Sequence, residues 1–390
     1  MKKIVFLHVS SILGGSERSF LDLVEKVASA DRNKFLVIVP SDGPLLSELK
    51  KRTPEISYVI EPLPSLFERG SRKAPVMTLL LTLLSIPSIL YYTYQLKRTI
   101  EEFRPDLIYT NGIKCHLLSL ALKKRLPVPV VWHMQDYFPE LNYVRLFLKF
   151  IKTAPELVIC NSNSVNVALK KITPSFWSTR IETVHNSVDL EQFNMRHRKT
   201  NHPVVISMVG MITPWKGQDV FIEAIHRIIQ RNPHLPFHAQ IVGGEAYSTQ
   251  GEVGFKKQLE AKVLQLGLTD KISFLGLIED IEKIYNTSDI VAHCSKKPEP
   301  FGRVIIEAMA SGCSVIATRA GGVTEIITDS IDGFLVTPES SEELGLAIEK
   351  LILNPDLRNS FAKAGRKTVE QKFSADFFSK TVFSYLEKVV

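Results

Sequence analysis

The chain is short of the residues that staple or ligate. Its 390 residues hold four cysteines, Cys115, Cys160, Cys294 and Cys313, and no two have paired spacing. That excludes a disulfide framework and a cysteine-based metal site, and it points to a reducing compartment. His, Asp and Glu nowhere cluster at metal-ligand spacing, so neither a metal nor another cofactor is expected. The net charge is a modest +7, without a compact run of Arg or Lys. Nucleic acid is therefore not an expected partner, whereas anionic small molecules or an anionic membrane surface are. Internal repeats are absent. The start, Lys2-Lys3-Ile4-Val5-Phe6-Leu7-His8-Val9, opens like a signal peptide, but its apolar run is too short and a turn follows at once. It reads as a first strand of a cytoplasmic protein.

What is present is ordinary globular material: 45% apolar and 23% charged residues, at a length that suggests two domains. Strands are expected at 4–9, 35–39, 56–60, 107–109, 128–132, 157–160 and 181–184. Helical periods lie between them, including an apolar one at 141–152. The polar stretch 194–203 reads as a boundary. A second series of strands then opens at 204–209 and continues at 237–242, 272–275, 290–292 and 315–317. The tail reads as helices near 340–352, 356–371 and 375–389. Two successive βα series imply two parallel-sheet domains. One run breaks the pattern: Val76 to Leu96 is 21 residues without a charge, flanked by Arg72, Lys73, Lys97 and Arg98 and ending in Tyr91, Tyr92 and Tyr94. It is long enough to span a bilayer, but one span would put the flanking strands on opposite sides of the membrane. A buried helix and a helix lying in the membrane surface both remain open.

The chemistry concentrates at Pro298-Glu299-Pro300-Phe301-Gly302-Arg303-Val304-Ile305-Ile306-Glu307-Ala308-Met309-Ala310-Ser311-Gly312. Pro300 and Gly302 break the chain before a helix, and Gly312 ends it. A turn between strand and helix N-terminus presents backbone N–H groups and a favourable dipole to an anion. Two carboxylates, Glu299 and Glu307, bracket that turn. Carboxylates accept hydrogen bonds from hydroxyls and do not bind phosphate. The stretch thus reads as a site for a ligand that is both phosphate and polyol, such as a nucleotide sugar. Other turns fit less specifically: Gly14-Gly15-Ser16-Glu17 after the first strand, Gly210 to Gly217 with Lys216, Gly243-Gly244 and Gly276-Leu277.

Two glutamates eight residues apart around Phe-Gly, followed by Ala-Met-Ala-Ser-Gly, resemble the signature of the retaining nucleotide-sugar glycosyltransferases of family 4, or group 1. The later Gly321-Gly322-Val323-Thr324-Glu325 and Asp332-Gly333-Phe334 fit the same pattern. The resemblance implies a GT-B fold, in which two Rossmann-like domains face a cleft. Residues 1–195 would bind the acceptor, 196–372 the nucleotide sugar, and a C-terminal helix at 373–390 would cross back to the first domain.

It also implies roles. Lys216 and the amides of Gly302, Arg303 and Val304 would hold the diphosphate, and Glu307 the ribose. Glu299 would hold the sugar hydroxyls and His133 would orient the sugar. Backbone at Gly14, Gly15, Gly210, Gly243 and Gly276, together with Phe301, would line the nucleotide-sugar site. Catalysis would rest on Lys216, Glu299 and His133, with retention and without a metal. The chain departs from the pattern twice. Met211 stands where many relatives have Arg, with Arg303 the nearest substitute, and Ser187 stands for a usual Gly in His185-Asn186-Ser187-Val188-Asp189. The long uncharged run in the acceptor half and the basic balance lead to a further expectation. The acceptor would be a saccharide or a lipid-linked glycan, the latter belonging to a cell-surface polysaccharide or glycolipid and met at the inner membrane face. Two rival readings are a GT-B epimerase of sugar nucleotides, which needs no acceptor, and a non-catalytic nucleotide-sugar-binding protein. The second would be marked by loss of Lys216 or the glutamates, which are present.

Overall fold

The computed structural model describes residues 2–8, 10–28, 33–64, 75–138, 148, 154–175, 177–195, 203–245 and 254–389, with the backbone alone for 75–85. The expected helix at 141–152 lies outside these residues, Leu148 excepted. The chain divides into two compact units: Met1–Asn186 with Ala375–Val390, and Ser187–Ser374.

Unit 1 is built on seven parallel strands: β1 (Lys3–His8), β2 (Lys34–Val39), β3 (Ser57–Ile60), β4 (Leu107–Asn111), β5 (Val130–Met134), β6 (Leu157–Cys160) and β7 (Arg180–Thr183). Their order is β3-β2-β1-β4-β5-β6-β7. The inner strands are mostly apolar and buried along nearly their whole length because helices cover both faces of the sheet. Only the edge strands β3 and β7 carry mostly part-exposed residues. The helices are α1 (Gly15–Ala28), α2 (Pro44–Arg52), α3 (Pro75–Phe103), α4 (Ile113–Lys123) and α5 (Asn163–Ile172). One core packs Val5, Ile108, Val130 and Trp132 against Tyr92, Leu96 and Ile100 of α3 and Leu118 of α4. The opposite core joins Phe6, Val37 and Leu157 to Phe20 of α1 and Leu45 of α2.

The uncharged run therefore belongs to one helix, α3, that does two things. Tyr92, Leu96 and Ile100, four residues apart, form its buried stripe. Ile86, Leu90, Tyr91 and Tyr94 are exposed on its other side. Among the described residues no helix is long and apolar enough to cross a membrane.

Unit 2 has six parallel strands: β8 (Val204–Val209), β9 (Phe237–Val242), β10 (Ile272–Gly276), β11 (Ile290–His293), β12 (Ser314–Thr318) and β13 (Phe334–Val336). They run in the order β10-β9-β8-β11-β12-β13. Around them lie α6 (Gln218–Arg231), α7 (Phe255–Gln265), α8 (Ile281–Thr287), α9 (Arg303–Ala310), α10 (Ser341–Leu353) and α11 (Pro355–Lys372). The last helix, α12 (Ala375–Leu386), belongs to unit 1, where Phe378, Val382 and Leu386 join the core of Phe6 and Phe20. Lys26 of α1 pairs with Asp376 at 2.9 Å.

Sequence reading places the boundary at 195/196, whereas the compact units part at Asn186 and Ser187. The reason is packing. Val188 and Phe193 are buried with Tyr285 and Phe301 of unit 2, and the Val188 N–H donates to the Phe373 carbonyl at 2.9 Å. The return falls after Ser374 for the same reason, since the Phe373 ring packs 5.8 Å from that of Phe301.

Each sheet has one place where its strand order reverses: between β1 and β4 in unit 1, and between β8 and β11 in unit 2. Loops leaving the carboxyl ends of two such strands diverge and open a crevice, the usual ligand position in open α/β sheets.

Candidate active site

In unit 2 the crevice is formed by the loops after β8 and β11. The first passes through Gly210 and a short 3-10 turn at Pro214–Lys216 into Gly217, which starts α6 with φ of 80°. A Cβ on Gly217 would lie 2.1 Å from the Cys294 carbonyl oxygen. Only glycine lets the two loops approach this closely, and that approach carries Lys216 to the end of β11. There the Lys216 Nζ meets both carboxylate oxygens of Glu299, at 2.8 and 3.0 Å. The ammonium also lies 4.3 Å from the centre of the Trp215 ring.

Glu299 gathers more partners on one oxygen. Ser295 Oγ donates to its Oε2 at 2.8 Å, and His293 Nε2 lies 3.2 Å from the same atom. Burial works to raise the Glu299 carboxyl, but Lys216 and His293 outweigh it and hold it well below the usual carboxylate range. The group is thus a fixed anion with one crowded oxygen. Neither His293 nor Ser295 is among the residues singled out from sequence. Both lie at the end of β11, and the alternation 291, 293, 295 along the strand was the available signal.

The chain then turns through Gly302, whose φ of 106° suits glycine, into α9. Arg303 and Val304 are the first residues of that helix, so their N–H groups belong to its positive end. One turn inside, Glu307 is 4% exposed. Its Oε1 accepts from Arg303 Nε at 2.8 Å and its Oε2 from the Tyr285 hydroxyl at 3.1 Å. Arg303, the expected substitute for a second phosphate cation, is therefore committed to Glu307. Tyr285 on α8 carries no motif signal in the sequence. Phe301 is 2% exposed and packed on Phe373, so its side chain is core and only its backbone borders the site.

Gly210, Gly243 and Gly276 sit at the ends of three adjacent strands. The Gly210 N–H donates to the Val242 carbonyl at 2.9 Å and the Gly243 N–H to the Gly276 carbonyl at 2.8 Å, which ties the three ends into one surface.

The remaining expected residues belong to unit 1. His133, on β5, is fully buried. Its Nδ1 is 2.6 Å from the Tyr109 hydroxyl, and its Nε2 is 3.0 Å from Gln135 Nε2. Burial pushes its pKa down to about 3, so the ring is neutral at physiological pH. The group that faces open space at this strand end is Gln135. It lines a cavity of about 290 Å³ with His8, Glu17, Asn111, His116 and others. That cavity lies at the reversal point between β1 and β4. Gly14 is beside it, but the anion on the Gly14 N–H is the chain's own Glu17, whose Oε2 accepts at 3.1 Å. Gly15 begins α1.

The family model for glycosyl transferases group 1 matches residues 191–368, and that for glycosyltransferase family 4 matches residues 13–192. The chain belongs to this glycosyltransferase family. Among curated relatives, the mouse alpha-1,3/1,6-mannosyltransferase ALG2 is 31% identical over 309 residues, 73% of this chain and 66% of that one. The D-inositol 3-phosphate glycosyltransferase of Saccharomonospora viridis is 29% identical over 204 residues, 50% of this chain and 47% of that one. The chain spans about half the length of the curated relatives it matches, 58%, 47% and 40% for three of them. A crystal structure of Anabaena HepE in complex with UDP-glucose has TM-score 0.80 and 25% identity, with all of both chains covered. With the two parallel sheets, this likeness establishes the GT-B fold.

Proposed function

We propose that the protein transfers a sugar from a nucleotide-sugar donor to a saccharide acceptor with retention and without a metal. The observation that carries this is the arrangement at the β8–β11 reversal point. A lysine, the part-buried Glu299, the buried Glu307 and a helix N-terminus converge there, which matches the mixed phosphate and polyol chemistry of such a donor. UDP-hexoses are the first donors to test, because HepE was solved with UDP-glucose.

In this reading the donor draws Lys216 from Glu299 to the diphosphate. Glu299 then accepts from sugar hydroxyls through the oxygen that Lys216 releases, while Ser295 and His293 hold the other. Glu307, fixed by Arg303 and Tyr285, accepts from the ribose. The acceptor oxygen bonds to the anomeric carbon on the face from which the phosphate leaves, and the acceptor proton passes to the departing phosphate oxygen. Lys216 and the first amides of α9 stabilise the charge that grows there. No side chain is assigned as a covalent nucleophile. His133 acts through Gln135, since it is itself enclosed.

The acceptor half of the proposal is a lipid-linked glycan met at an anionic membrane surface. It is supported by the exposed Ile86, Leu90, Tyr91 and Tyr94 on α3. The deciding experiment is a panel of UDP- and GDP-sugars in a thermal-shift assay, followed by release of nucleoside diphosphate with and without acceptor saccharides. Stabilisation by one donor and acceptor-dependent release are the expected results. Failure of every donor to bind overturns the reading, and full turnover without an acceptor replaces transfer by epimerisation or hydrolysis.

A further inference from the structure

Lys216 has a second partner besides Glu299. Its Nζ lies over the face of the Trp215 ring, 4.3 Å from the centre. The other contacts of a cation with a ring face among the described residues are looser, at 5.0 to 5.6 Å. A cation is drawn to the negative face of an aromatic ring within about 6 Å, most strongly by tryptophan, and the attraction grows as water is excluded. The Lys216 side chain is only 16% exposed, so this contact is of the stronger kind.

Backbone bonds set the place of the ring. Trp215 is the middle residue of the 3-10 turn, in which the Lys216 N–H donates to the Thr213 carbonyl at 3.0 Å. The Trp215 carbonyl accepts from the Lys296 N–H at 2.8 Å, which ties the turn to the loop after β11. The Gln218 side-chain amide donates to the Met211 carbonyl at 2.9 Å and fixes the start of the same loop. None of these bonds uses the lysine side chain, so they hold the ring in place through a change of that side chain's partner. Two hydrogen bonds of the ammonium go to the Glu299 oxygens, and the ring face is its remaining partner among the described residues. A neutral ring attracts the ammonium without pairing its charge. It can therefore keep its hold while an arriving anion replaces the carboxylate.

We propose that Trp215 is the positioning residue of Lys216: the ammonium turns on the ring as its hydrogen bonds pass from Glu299 to the donor's diphosphate, and the ring then keeps it on the departing phosphate. This rests on the nucleotide-sugar reading of the site. Glu299 and the ring hold the lysine together before the donor binds, whereas the ring is what fixes it on the protein's side afterwards. Misplacing a reacting group by about 1 Å can cost about a hundredfold in rate, and charge on the departing phosphate is largest in the transition state. Loss of the ring's attraction therefore falls on kcat more than on donor KM.

The test replaces Trp215 in the full chain by 5-fluoro-, 5,7-difluoro- and 4,5,6,7-tetrafluorotryptophan through a suppressed stop codon. Fluorine weakens the negative face of the ring and nearly preserves its shape. The kcat should fall stepwise with the number of fluorines, by about tenfold over the series, with the melting temperature unchanged and donor KM within about threefold. A ring that serves only as packing gives one kcat throughout, which overturns the proposal. Trp215→Leu should lower kcat by about tenfold or more alone and cost nothing further in the Lys216→Ala background. Additive losses would mean that the ring acts on the donor by itself, and would also overturn it. Should Trp215→Leu fail to fold, the fluorinated series decides. The contact is read without donor as well. Lys216→Met should shift the tryptophan emission of the unaltered chain and leave that of Trp215→Phe alone, in which Trp132 and Trp177 of unit 1 remain. An equal shift in both removes the contact and the proposal with it. UDP-hexose binding is measured by thermal shift on the same samples. If donors bind and turn over but the fluorinated series is flat, this inference alone fails. If no donor binds while the emission shift is present, the nucleotide-sugar reading fails and takes the diphosphate role of the pair with it.

Discussion

Lys216 and Glu299, 83 positions apart in sequence, form a two-point ion pair in which one ammonium spans both oxygens of one carboxylate. The pair neutralises the centre of the unit 2 crevice. Either partner alone would be a largely enclosed, uncompensated charge, which is costly. A donor that supplies its own negative diphosphate and its own hydroxyls can take over both halves at once. The pair is thus a preformed site held in balance by its own charges.

Lys216→Ala should lower kcat/KM by roughly 10²–10³, about 2.7–4 kcal/mol, with most of the loss in kcat. In the proposed mechanism the ammonium meets charge that grows in the transition state, whereas the ribose contact is the same throughout. Glu307→Gln, which keeps the Tyr285 hydrogen bond, should instead weaken donor binding and alter kcat less. Steady-state kinetics with the donor found by thermal shift measure both. Near-normal turnover in Lys216→Ala would remove the lysine from the mechanism.

In the proposed mechanism His293, 3.2 Å from Glu299 Oε2, positions that carboxylate. His293→Ala should lower kcat while leaving donor KM within a few-fold, because the nucleotide contacts stay in place. His293→Gln places an N–H near the position of Nε2 and should restore much of the loss. A merely structural role for His293 predicts instead a fall in melting temperature, no kcat effect at moderate temperature, and no rescue.

Unit 1 should lose stability as pH falls through the histidine range. Burial lowers the pKa of His133 to about 3; burial, and then the neighbouring His133, do the same to His116. Unfolded imidazoles bind protons below about pH 6.5 and these folded ones do not. Stability therefore rises with pH between about 3 and 6.5, by up to about 1.4 kcal/mol per pH unit for each imidazole. Urea unfolding followed by tryptophan fluorescence between pH 4.5 and 7 checks this, since Trp132 is buried in this unit. His116→Phe, which keeps the stacking on Trp132, should flatten the dependence. An unchanged slope would contradict it.

Activity should persist in excess chelator. In the proposed mechanism Lys216 and the α9 amides supply the diphosphate with its counter-charges. Abolition by EDTA with recovery on adding Mg²⁺ or Mn²⁺ would show that a divalent ion shares that task.

The protein should co-sediment with anionic liposomes at low salt and partly release at high salt, because basic side chains near such a surface contribute about 1 kcal/mol each. Replacing the exposed Leu90, Tyr91 and Tyr94 by Ser should weaken that binding without lowering the melting temperature. The buried stripe of Tyr92, Leu96 and Ile100 is left intact. Indifference of the wild-type chain to anionic liposomes would leave α3 as an ordinary core helix with an apolar outer face.

Much of this protein was legible before its fold was known, and the legible part is local. The start of α9 after Gly302, the run of buried strands, and the two βα series are set by φ preferences, apolar period and chain breaks within a few residues of one another. Lys216, Glu299 and Glu307 could be named because each sits in a short ordered motif. The pairing of Lys216 with Glu299 could not be read that way. It depends on β11 lying beside β8, a neighbour choice that no hydrophobic period encodes. The same holds for Tyr285 on Glu307, for His293 and Ser295 on one oxygen of Glu299, and for the boundary at Asn186, which follows from where Val188 and Phe193 are buried. His133 shows the difference most plainly. Its place at a strand end was readable, but its enclosure behind Gln135, with Tyr109 on its other nitrogen, was decided by side chains that only the folded sheet brings together.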